Sequence, residues 1–286
     1  MFRQQRSICM RILLILSFMV VVVSLAGCSG NSSTKDVPIK STVKDDRKTT
    51  GSMEPSPSSV SMDPKDSGLP PVGVGFAKFM EVKGKAYELM DLMTDQITGS
   101  GDTMASLALL PLLTADLSIL PLAMTIAFPS IGDNVWDGEF RVMTDGKGRA
   151  ELKGEICTFS MELAASDDSQ NIMIVTGEYD TKKDSLRATF TTGGKETVSF
   201  EYAASGKGYV SQLFYLQDDG ITTSLIKNAF DEKILYAGMT LEKAKPDSIY
   251  QKNVEIGEGF VQSEEIMVVL EKGKGHALID GKKYKY

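Results

Sequence analysis

A nucleophile, an acid–base pair or a set of metal ligands is the minimum for catalysis, and the 286 residues supply few candidates. The single histidine, His276, stands in Lys274-Gly275-His276-Ala277. A multi-histidine metal site is therefore impossible, and a Ser-His-Asp arrangement would depend on that one ring. No Gly-x-Ser-x-Gly elbow surrounds any serine, so His276 reads as an ordinary strand or turn residue. Cys157, within Glu155-Ile156-Cys157-Thr158-Phe159, reads as a small buried hydrophobe. In Gly73-Val74-Gly75 the third glycine of a dinucleotide loop is replaced by Lys78, and no Walker-type loop occurs. Asp133-Asn134-Val135-Trp136-Asp137-Gly138 has the outline of a calcium loop, but Val135 and Thr144 stand where oxygen ligands of the right kind are needed. That segment is expected to be a turn entering the first strand, with Trp136, the sole tryptophan, plugging the core. Asp167-Asp168 and Asp218-Asp219 sit among turn residues and read as solvated. No catalytic, cofactor or metal residue is assigned, and no cofactor is expected.

Cys28 is different, because what precedes it gives it a chemistry. Arg3, Arg6 and Arg11 make a basic start, and Ile12 to Val23 is an apolar run broken only by Ser17. Twelve residues are too few to span a bilayer comfortably and suit the core of an export signal. The run closes on Leu25-Ala26-Gly27-Cys28, which resembles the lipobox of bacterial lipoproteins at all four positions. The resemblance covers the export segment alone. It implies diacylglyceryl transfer to the Cys28 sulfur and cleavage after Gly27, with the chain held extracytoplasmically on the cell membrane or outer membrane. Several acyl chains on one residue satisfy the roughly two-signal requirement for stable anchoring. Serine, not the aspartate that marks inner-membrane retention in such families, follows at position 29.

The cysteine and charge inventories fit that address. Cys9 leaves with residues 1–27 and Cys28 is consumed by lipid, so Cys157 has no disulfide partner within the chain. The removed segment carries three arginines and no acid, so the formal charge of −7 becomes −10. An acidic surface argues against nucleic acid as a partner.

Three stretches follow. Residues 28–72 hold the lipidated cysteine and a stalk with six of the ten prolines and many Ser, Thr, Lys and Asp residues, a composition that cannot offset its ordering entropy. As a coil it would span roughly 30–40 Å. Residues 73–286 are expected to form one α+β domain, helical over 73–129 and β-rich over 139–286. Phe76, Phe79, Met80, Tyr87, Met90, Met93 and Ile97 recur at helical steps, with Gly99 as a stop and Asp102 or Thr103 as the next cap. Met104 to Pro129 carries one charge, Asp116, and Pro111 and Pro121. A carboxylate at its centre argues against a membrane span. Two or three short buried helices are expected there, with Leu113 and Leu117 inside.

The period then becomes two. Leu186, Ala188 and Phe190 alternate with Arg187, Thr189 and Thr191, and Val198, Phe200 and Tyr202 with Thr197, Ser199 and Glu201, the pattern of half-buried antiparallel strands. Ile172 to Val175 and Tyr209 to Leu216 are apolar on both faces and should be covered on both. Turns are expected at Gly146-Lys147-Gly148, Ser166 to Ser169, Asp180 to Asp184, Gly193-Gly194, Gly206-Lys207-Gly208, Asp218-Asp219-Gly220 and Asp280-Gly281. A parity flip between Leu152 and Phe159 suggests a β-bulge or a sharp bend near Cys157. Seven to ten antiparallel strands in one meander result, and a curved sheet or open half-barrel around the helices is the expected form. In outline this resembles the lipoprotein carriers and related lipid-binding proteins of bacterial envelopes. The leading functional expectation is a non-enzymatic envelope binding or assembly factor; the alternatives are a carrier of lipid or another hydrophobic ligand and a carboxylate-based hydrolase. Expected partners are the membrane, through lipid on Cys28, and a hydrophobic ligand or an envelope protein.

Overall fold

The helical spacing read around Phe76 and Phe79 becomes α1, Pro71–Tyr87, which opens on a proline whose missing N–H costs nothing in the first turn. The computed structural model describes residues 70–91, 93–94, 106–126, 131–137, 145–165, 168–216, 223–241, 244–263, 265–272 and 274–286. Cys28, the stalk to residue 69, Gly99, Asp102, Thr103, Thr144 and Asp218-Asp219-Gly220 lie outside them, as do Ser166 and Asp167. Val72 is fully buried, so the folded part reaches into the last residues assigned to the stalk.

A 3-10 turn, Leu107–Leu109, leads into α2, Leu110–Thr125, which starts with Pro111 in its first turn and tolerates Pro121 inside. Leu112, Ala115, Ile119 and Leu122 face inward, but Leu113, Leu117 and Leu120 are 44%, 41% and 42% exposed. The expectation that Leu113 and Leu117 are buried is therefore corrected. The segment is apolar all round, so its periodicity says nothing about which side packs. Among the described residues no helix is long and apolar enough to cross a membrane.

Twelve antiparallel strands follow, each paired with its neighbours in sequence, in the order β1 (Gly132–Asp137), β2 (Asp145–Lys153), β3 (Ile156–Ala165), β4 (Asp168–Asp180), β5 (Ser185–Thr192), β6 (Lys195–Ser205), β7 (Gly208–Leu216), β8 (Thr223–Phe230), β9 (Ile234–Thr240), β10 (Ile266–Glu271), β11 (Lys274–Ile279) and β12 (Lys282–Lys285). The sheet is not closed: β1 and β12 are its two edges. Helices before a long meander are thus present, with more strands than expected. Asp133 to Asp137 belong to β1 itself, not to a turn before it, because Gly132 to Asp137 pair residue for residue with β2. Gly146-Lys147-Gly148 is likewise strand, its glycines lying with Ala150 on the face that packs inward. The parity flip near Cys157 is a two-residue hairpin at Gly154-Glu155, since Leu152 opposes Cys157 and Ala150 opposes Phe159 in unbroken register. Gly154 supplies the positive φ of 62° that such a turn requires. Asp168 and Ser169 begin β4 and are not a turn. The turns at 181–184, Gly193-Gly194, Gly206-Lys207 and Asp280-Gly281 fall where expected.

The sheet is covered on two sides. α1 touches β4, β5, β7, β8 and β9, and α2 touches β8 and β9. Phe79 stacks on Tyr202 at 4.4 Å between centroids and meets Tyr209, Phe230 and Phe200 edge-on at 5.3, 5.5 and 6.0 Å. On the opposite face runs a strap, residues 244–263, which contains the short helix α3, Glu258–Val261. Its Ile249 and Val261 pack on Ala203, Val210, Ala229, Tyr236, Met267 and Val269. β7 is accordingly buried on both faces over most of its length. β4 is not: Ile172 and Ile174 are 40% and 38% exposed, because the strap does not cover that end of the strand. The same strap overturns the half-buried reading of β6, since Ser199 and Glu201, the polar side of its alternation, are buried beneath it.

Candidate functional site

The helix-facing side of the sheet is mostly apolar, and three polar clasps fix the elements that cover the sheet. The first joins the two helices. Lys83 lies four residues from Phe79 and four from Tyr87, on the buried side of α1, and is itself only 3% exposed. Its ammonium donates to the carboxylate of Asp116, the one charge of α2, and stands over the rings of Tyr87 and Phe79 at 5.3 and 5.9 Å. Burial holds the Lys83 pKa below the usual lysine range, with Asp116 acting in the other direction. Burial and the same carboxylate push the Tyr87 phenol well up, so it stays neutral.

The second clasp sits at the turn between β4 and β5. Asp184, at φ 47°, accepts from Tyr179 Oη at 3.0 Å, Tyr209 Oη at 2.8 Å and Lys78 Nζ at 2.7 Å. Both tyrosines are pushed far above the ordinary phenol value, by burial first and by the Asp184 charge second. Gly75 permits this approach, for a Cβ there would collide with the Tyr179 ring.

The third clasp holds the strap. Glu201 accepts from Ser248 Oγ at 2.7 Å, Ile249 N at 2.8 Å and Gln212 Nε2 at 2.9 Å, and Gln212 also donates to the Asp247 carbonyl. Asp180 takes the backbone N–H groups of Lys182 and Lys183 and the Gln251 side chain, each at 2.9 Å. Beside Glu201 a cavity of about 40 Å³ is lined by Ser199, Gln212, Phe214, Lys245, Pro246 and Ser248, room for a water molecule.

The residues tested for chemistry from sequence are scattered. His276 is half-buried on β11, opposite Val269 and Lys285, and burial with the nearby Lys283 charge lowers its pKa. Among the described residues neither hydroxyl nor carboxylate hydrogen-bonds to its ring. Cys157 is fully buried on β3 and has its thiol pushed up by burial, with the backbone of Val72, in the first turn of α1, acting in the other direction. Asp133 is exposed and lies 3.7 Å from Arg149. Among the described residues no group of three or more His, Cys, Asp or Glu side chains is placed to hold a metal ion. Lys83, Asp184 and Glu201 were not singled out from sequence. For Lys83 a signal existed: one lysine on the apolar side of a helix and one aspartate in an apolar segment are two lone charges of opposite sign. No protein-family model, curated protein or solved structure matches the chain.

Proposed function

We propose that this protein is an extracytoplasmic lipoprotein, tethered by lipid on Cys28 to the outer face of the cell membrane or an outer membrane, and that it is a non-enzymatic binding factor of the envelope whose ligand is apolar. The observation that carries this reading is an open sheet whose helix-facing side is mostly apolar from β3 to β11, including Phe159, Met161, Val175, Phe190, Phe200, Leu213, Ile226, Leu235, Val268 and Ala277, with Ser211, Ser224 and Asn228 as buried polar exceptions on β7 and β8. These side chains are covered by α1 and α2, so an acyl chain would reach this face where a helix lifts from the sheet, the sheet then acting as an apolar half-barrel around the ligand. Binding is preferred to hydrolysis because Asp116, Asp180, Asp184 and Glu201 are each engaged in holding one element to another. Lipid-adducted masses in native mass spectra of protein isolated from membranes, lost on solvent extraction and restored by a long-chain fatty acid, are the expected result. Bare protein throughout, with no uptake of added fatty acid, overturns the ligand. Palmitate incorporation that is equal in wild type and Cys28→Ala overturns the anchor.

A further inference from the structure

The leucines that α2 leaves in solvent form a single stripe. Leu113, Leu117 and Leu120 fall at i, i+4 and i+7, so they line one side of the helix over about 10 Å. Each is more than two-fifths exposed, while Leu112, Ala115, Ile119 and Leu122 on the other side are buried against the domain. The only charged side chain of the helix, Asp116, is taken up by Lys83, so nothing charged on α2 competes for the stripe.

We infer that this stripe is the face by which the domain rests on a lipid surface. Three half-exposed leucines present far less than the roughly 800 Å² per partner that a stable protein complex buries, which argues against a second copy as the occupant. Leucine is also under-represented among the side chains that carry protein–protein affinity, where Trp, Tyr and Arg dominate. A bilayer asks for no such anchors, only for apolar surface at the boundary between headgroups and acyl chains. The contact is weak by itself, but it rests on the proposed Cys28 anchor for its strength. The 42 residues from Ser29 to Pro70 would keep the domain within roughly 30–40 Å of the lipid on average, so that docking is intramolecular and a modest apolar gain suffices. The net negative charge of the chain makes the contact apolar and not electrostatic.

The test is photo-crosslinking in cells that express the full chain and are fed radiolabelled phosphate, which marks phospholipids but not the diacylglyceryl group on Cys28. A benzophenone amino acid is placed in turn at Leu113, Leu117 and Leu120, and, as controls, at Thr176 and Lys207, which are exposed elsewhere on the domain. Three stripe positions keep the test decisive if one variant fails to accumulate. Labelled phospholipid adducts at the stripe, several-fold above the controls, are expected. Adducts to protein, including a second copy, or lipid adducts no more frequent than at Thr176 and Lys207, overturn the inference. Palmitate labelling of Cys28 in the same cells separates the two failures: a labelled anchor with no stripe adduct overturns the docking face alone, whereas a stripe adduct without a labelled anchor overturns the tether alone.

Discussion

Asp116→Ala and Lys83→Met remove the same ion pair from opposite ends and should not cost the same. Without Asp116 the Lys83 ammonium stays buried with no anionic partner, a loss toward the lower end of about 3–5 kcal/mol because the Asp116 side chain is itself one-third exposed. Without Lys83, that partial exposure lets Asp116 turn to water, and a methionine fills the gap, so a loss below about 1.5 kcal/mol is expected. Urea unfolding of both variants at pH 7 checks the asymmetry; equal losses would contradict it. The pH dependence has a fixed sign. Because the folded-state pKa of Lys83 is depressed, the folded protein binds fewer protons than the unfolded chain between that value and the unfolded value of about 10.4. Stability contributed by this group therefore rises as pH climbs through that window and is unaffected below it. Wild type should gain on Lys83→Met as the pH of the unfolding series moves from 7 toward 10, and a parallel pair of curves would refute the assignment.

Substitutions on α2 separate the two sides of one helix. Leu117→Gln should change stability by no more than about 0.5 kcal/mol, as at an ordinary surface position, whereas Leu112→Ala should cost about 2–5 kcal/mol. Thermal melts of the two variants read the difference directly. On the far face, Gly238 of β9 lies under the Val261 carbonyl of α3, where a Cβ would collide with backbone that cannot step aside. Gly238→Ala should loosen the strap, seen as faster proteolysis within 244–263 while the sheet resists. These elements were unequally legible in the sequence. β5 and β6 announced themselves because alternation marks a face, and the hairpins at Gly193-Gly194 and Asp280-Gly281 because glycine marks a positive φ. α2 did not reveal its exposed side, since leucines all round leave no period to read. Gly146 and Gly148 looked like a turn because nothing local distinguishes a glycine that bends the chain from one that lets another element press against a strand. The clasps at Asp184 and Glu201 were invisible for a further reason: their partners Tyr209, Lys78 and Ser248 lie 25 to 106 residues away.

For the molecule as a whole, the boundary between the proline-rich segment and the folded domain can be measured. Deleting Ser29 to Val60 should leave the melting temperature within a few degrees, whereas extending the deletion through Val72 removes a fully buried side chain and the first turn of α1 and should lower it clearly. A large drop on the shorter deletion would mean that the proline-rich segment docks. The unbroken β1 to β12 order carries a consequence for how such a chain is made. Each strand after β1 pairs with the strand before it, and of these pairings that of β9 with β10, which the strap separates, alone closes a long loop, so most of the usual slowness of large β-proteins, which comes from such closures, is avoided. A polypeptide emerging from its N-terminus can add one strand after another in this order, with its newest strand serving as the template for the next. The edge formed by β12, Lys282-Lys283-Tyr284-Lys285, pairs on one side in this sheet, and its three lysines discourage the addition of a foreign strand there.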